Sequence, residues 1–163
     1  MDASQLLDEM VAVLGGEVGS PGPAGFGANP RRLKVAGAGD ELPLLAAALA
    51  AGERLAVPVP LRPPGTAARI RALAGCRREV ARARRRLSAA GAGRIRTFAG
   101  VPGAEALFLV YELGDPAQRY AEECVVFDTG GGSTLTRAAK RALRSVSGVS
   151  TSAELLLVVG ERG

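Results

Sequence analysis

Apolar residues along this chain alternate between helical spacing and short unbroken runs. Leu7, Met10, Val11 and Leu14 recur at i, i+3, i+4 and i+7, which predicts an amphipathic helix over 4–14 with Ser4 as N-cap and Gly15-Gly16 as stop. Residues 15–32 hold six Gly and three Pro without periodicity and read as a loop or linker. Short strands are then expected at 33–36, 54–61, 94–98, 106–113, 124–128 and 154–159. Helices are expected between them at 41–51, 66–90, 116–123 and 134–146. In the second of these, Ile70, Leu73, Val80 and Leu87 form one stripe, and Gly75 is a candidate break. In the last, Leu135, Ala138, Ala139, Ala142, Leu143 and Val146 form the expected buried face. Pro58 and Pro60 remove ladder donors, so only the first half of 54–61 is expected to suit a central strand.

Strands that alternate with helices, several of them continuous apolar runs, predict an α/β domain with a mainly parallel sheet covered on both faces, in three layers. The expected organisation is a helix at 1–16, a Gly/Pro-rich linker at 17–30 and the α/β domain at 31–163. No internal repeat is visible.

Composition narrows the chemistry. Histidine is absent, which excludes Ser-His-Asp and Cys-His catalysis, histidine-ligated metal and a histidine base. No metal site is expected. Any reaction must run on carboxylates, Lys, Tyr, Cys or a cofactor. Cys76 and Cys124 are far apart and form no CxxC pair, so they are read as small core residues. With no secretory signal and no apolar run long enough to span a bilayer, the cytoplasm is the expected location. Aromatic residues are only 4%, a poor supply for base stacking.

Three features carry candidate function. In Val35-Ala36-Gly37-Ala38-Gly39-Asp40, a strand turns into a helix through glycines that let backbone N–H groups approach an anion. A plain tight turn is the competing reading. Together with 83–100 and 107–116, this order of elements resembles the class I S-adenosylmethionine-dependent methyltransferases, which have a Rossmann-like fold. The resemblance covers roughly 31–160. It implies S-adenosylmethionine as cofactor, held by Gly37, Gly39 and Asp40; the arginines between Thr66 and Gly100 add nucleic acid as the expected substrate or ligand of such a domain. Pro58 and Pro60 stand where that family has the acid for the ribose hydroxyls, and Val101 where it has one near the adenine. A scaffold that has lost the cofactor is therefore an alternative. Glu112 and Asp115, beside Tyr111 at the end of the fourth expected strand, are the candidate general bases.

The second feature is Asp128-Thr129-Gly130-Gly131-Gly132-Ser133-Thr134, a carboxylate at a strand end followed by a glycine-rich loop that opens a helix. The loop's N–H groups and the Ser133 and Thr134 hydroxyls suit a phosphate, and Asp128 suits a metal ion or ribose hydroxyls. Gly132-Ser133-Thr134-Leu135 resembles the phosphoribosyl-diphosphate loop of type I phosphoribosyltransferases. That resemblance implies a phosphate site at Asp128, Gly130, Gly131, Gly132, Ser133 and Thr134. A capped helix after a flexible loop is the plain alternative.

The third feature is charge. Between Thr66 and Gly100 stand ten Arg and one acid, Glu79, whereas the whole chain carries +5. Arg69, Arg77, Arg78, Arg82, Arg84, Arg85 and Arg86 make this expected helix a candidate surface for nucleic acid or an acidic protein partner. A solvated face that only raises solubility is the bland alternative. Three functions thus stand open: a methyltransferase-like domain, a phosphoribosyltransferase-like enzyme, and a non-enzymatic basic module. Oligomeric state is not legible.

Overall fold

The computed structural model describes residues 3–15, 33–36, 53–61, 63, 65–102, 108–114 and 134–162. Among them the order is α1 (Ala3–Gly15), β1 (Leu33–Val35), β2 (Arg54–Pro60), α2 (Thr66–Ala89), β3 (Ala92–Pro102), β4 (Phe108–Glu112), α3 (Thr134–Ser147) and β5 (Leu155–Arg162). The expected helices at 41–51 and 116–123, the strand at 124–128 and the linker at 17–30 lie outside the described residues.

The α/β class holds, but the sheet is mixed and mostly antiparallel, which corrects the mainly parallel expectation. Its order is β1-β2-β5-β3-β4. Among the described residues only β1 and β2 pair in parallel; β5 runs antiparallel to β2 and to β3, and β4 antiparallel to β3. Two physical reasons account for the difference. β2, α2 and β3 do form a crossover with mutually parallel strands, but one strand-width is left between them and β5 fills it from the opposite direction. The stretch 103–107 between β3 and β4 is also too short for a crossover, which needs a dozen or more residues, so those strands can only fold back. Unbroken apolar runs report burial on both faces and carry no information about strand direction.

β2 keeps its full length beside β5 in spite of its prolines. Ala36 N donates to Ala56 O at 2.8 Å, and Leu61 N donates to Glu154 O at 2.8 Å. Even-numbered residues of β2 therefore turn their backbone groups toward β1, and odd-numbered ones toward β5. Pro58 and Pro60 lack donors only on the β1 side, where the β1–β2 register ends at Ala56. The ladder to β5 loses nothing.

β5 is the spine of the core. Leu155, Leu157 and Val159 face α1; Leu156 and Val158 face α2. On the first face, Leu6, Met10 and Leu14 of α1 pack with Ala56, Phe98 and the odd residues of β5. The buried stripe is thus Leu6-Met10-Leu14, one step round from the expected one, and Leu7 and Val11 are partly buried beside it. Close seating depends on Gly100, because a Cβ there would collide with Met10 Sδ. The guanidinium of buried Arg54 donates to Leu14 O at 2.8 Å and so closes the C-terminal end of α1. On the second face, Leu73, Cys76, Ala83 and Leu87 of α2 pack with Leu55, Val57, Ala99, Val101 and Tyr111. Each such large apolar side chain contributes about 1.5–3 kcal/mol on burial.

α3 lies against α2 and is held by its end. Gly148, at φ +75, supplies the left-handed turn that stops it, and Gly148 N donates to Arg144 O at 2.7 Å. Its apolar face does not become core, against expectation. Leu135 is 82% and Val146 55% exposed; Ala138, Ala139 and Ala142 are exposed, and only Leu143 is partly covered. The sheet face below is already occupied by α2.

Candidate nucleic-acid interface

α2 runs unbroken for 24 residues, straight through Gly75. Gly65 precedes it at φ +91, and at its far end Ala90 N donates to Arg86 O at 3.0 Å. Leu73, Cys76, Ala83 and Leu87 set the buried side. At 3.6 residues per turn, Arg71, Arg78, Arg82 and Arg85 fall on the opposite side, separated by 7, 4 and 3 residues. All four are exposed. They form a stripe about 21 Å long. Arg71, Arg78 and Arg85 make no hydrogen bond or ion pair among the described residues. Arg82 is bound by both carboxylate oxygens of Glu79, at 2.8 and 2.9 Å.

The remaining predicted arginines serve other ends. Arg69 donates to Thr151 O at 2.6 Å and Arg77 to Ser145 O at 3.1 Å, tying α2 to the end of α3 and the turn after it. Cys76 Sγ joins them by donating to Ser147 O at 3.2 Å. Burial pushes its thiol above the usual range, against the pull of neighbouring Arg77, so it is held protonated as a core group. Arg84 is exposed on the flank that carries Arg77, and Arg86 is half-buried near the end of the helix. Seven arginines were expected to act alike; three of them (Arg78, Arg82 and Arg85) lie on the outer stripe. Arg71 completes the stripe and is absent from the expected set, although its 7-residue offset from Arg78 was visible in the sequence.

The carboxylate candidate Glu112 is engaged elsewhere. Arg96 Nε donates to Glu112 Oε1 at 2.7 Å, and a second guanidinium nitrogen pairs with Oε2. The Arg96 guanidinium also lies 5.6 Å from the centroid of the Phe98 ring. This is a bridge across the β3–β4 hairpin on the α1 face, with both side chains largely covered. Strand direction separates Glu112 from the first glycine turn as well. β4 ends at the sheet edge opposite to the one where β1 ends, so Glu112 cannot share a rim with a ligand bound just beyond Val35. Tyr111 is buried under α2 and does not line an open edge. Gly37, Gly39, Asp40, Asp115, Asp128, Gly130, Gly131, Gly132, Ser133 and Cys124 lie outside the described residues; Thr134 is the first residue of α3.

Among the described residues, no three of Cys, Asp and Glu gather where they could hold a metal ion, and no helix is long and apolar enough to cross a membrane. Comparison with protein-family models, curated proteins and solved structures finds no match to this chain.

Proposed function

We propose that this chain is a basic binding module that takes the phosphate backbone of a nucleic acid on the outer face of α2. The observation that carries this reading is the stripe Arg71-Arg78-Arg82-Arg85, directly opposite the side that α2 buries. Three of its four cations have no partner among the described residues. A length of about 21 Å matches the stretch of duplex that carries about six phosphates on one strand. Few aromatic residues, and none in α2, favour backbone contact over base stacking. A cytoplasmic setting agrees with such a ligand and with the free, buried thiol of Cys76.

This reading stands ahead of the methyltransferase-like one because its residues lie together on one surface. Of the candidate cofactor and base residues of the methyltransferase-like reading, Glu112 is the described one, and it is bound to Arg96.

Fluorescence anisotropy with a labelled duplex of arbitrary sequence, titrated across salt concentrations, tests the proposal. The expected slope of log K against log salt is about −3 to −4, one counterion for each arginine of the stripe. Changing Arg71, Arg78, Arg82 and Arg85 together to Glu abolishes binding, while Arg69→Gln leaves the slope in place. Absent binding at low salt, or binding that ignores either salt or the fourfold variant, removes the proposal.

A further inference from the structure

α2 and α3 do not close on each other along their whole length. Between the first turns of α2 and the second half of α3 lies a groove of about 870 Å³. Its floor and walls include Ile70, Leu73, Ala74, Ala139, Ala142 and Val146. Ile70 is 48% exposed, and Val146 more so. On the same helix, Leu135 and Ala138 are exposed as well. An aliphatic groove of this kind on an otherwise charged pair of helices has the shape and chemistry to receive the apolar side chains of a partner helix.

We infer that this groove is a docking site for an acidic amphipathic helix of a partner protein. The inference goes beyond the nucleic-acid reading: its apolar anchors lie on another face of α2, and it shares only Arg71 and Arg78 with the stripe. Its two helical walls combine small Ala74, Ala139 and Ala142 with larger Ile70 and Val146, a lining that can receive apolar anchors spaced i, i+3 or i+4, and i+7. Charge selects the occupant. Among the described residues no Asp or Glu lines the groove, and the sequence of α3 contains none. Arg69 is part of the lining, and the outer lip on α2 carries Arg71 and Arg78. A helix with Glu or Asp flanking its apolar stripe meets these cations in register with its anchors. A second copy of this chain would bring arginine against arginine across the same lip. Nucleic acid gains little from an aliphatic floor that offers its bases no aromatic side chain to stack on.

The test uses the full chain and a lactam-stapled, fluorescent peptide of about 15 residues with Leu at helical spacing and Glu on both flanks. Two control peptides carry the same composition with scrambled Leu positions, or Lys in place of Glu. The Leu/Glu peptide is expected to bind at least about tenfold more tightly than either control. Ala142→Gln with Ile70→Ser, both at exposed or half-exposed positions, is expected to weaken it by about tenfold or more and to leave duplex binding unchanged. Arg85→Glu, on the outer stripe and away from the groove, does the reverse. Circular dichroism and thermal melting confirm that the variants are folded, and Val146→Ser serves as a second groove variant. Equal binding of the scrambled peptide overturns the inference, as does peptide affinity that ignores all groove variants. So does full competition between peptide and duplex that Arg85→Glu removes, because the peptide is then a polyanion on the stripe. Sedimentation equilibrium that shows a dimer dissolved by Ala142→Gln overturns it too, in favour of a second copy.

Discussion

α1 and α3 carry the same sequence signal and meet opposite fates. Each is a short helix with one apolar stripe, and each has its C-terminal carbonyls held by an arginine from elsewhere: Arg54 on Leu14, Arg77 on Ser145. Leu6 and Met10 in α1 nevertheless have no exposure, whereas Leu135 in α3 stands 82% exposed. The difference lies in what each helix finds beneath it. α1 meets a sheet face with Ala56 and Gly100 cut low enough to admit Met10. α3 meets a face that α2 has already covered. Amphipathicity states that a face needs cover; it does not say whether the cover comes from the same chain.

Stability measurements by urea unfolding can break this contrast. The largest effect is expected at the buried stripe: Leu6→Ala should cost about 2–5 kcal/mol, as a void under α1 cannot be refilled by the sheet. Next comes the arginine clasp at the end of α1. Arg54→Met should cost about 1–3 kcal/mol, because it strips a donor from a buried carbonyl. At the other extreme, Leu135→Ser on α3 should change stability by less than about 0.5 kcal/mol. A loss at Leu135 as large as that at Leu6 would show that the chain itself covers the α3 face, and the groove would lose its standing as a docking surface.

Much of the fold was legible in sequence. The apolar runs at 33–35 and 155–159 gave strands, and the helical spacing through 66–90 gave α2, including the burial of Leu73 and Leu87. What the runs could not reveal was direction and order. Leu155 to Val159 look alike whether their neighbours run with them or against them. The readable clue to a reversal was chain length: the stretch 99–105 between the expected strands is already too short for a crossover, and 103–107 between the observed ones is shorter still. At the candidate surface, counting arginines found the helix but not its working face. Arg69 and Arg77 are bound to backbone carbonyls through contacts 82 and 68 residues away in sequence, which no local pattern encodes. Arg71, by contrast, was available from the helical period alone.

The placement of β5 has a consequence for how the chain is made. β1–β2 and β3–β4 share no ladder with each other; both depend on a strand that leaves the ribosome after them. Two separate pairs, one with prolines along its margin and one a hairpin, must wait in a partly formed state until Leu155 to Val159 emerge and zip them together. Pairings at such sequence distance are slow to form. Synthesis halted before residue 155 should therefore yield a protease-sensitive nascent chain, with resistance gained in a single late step.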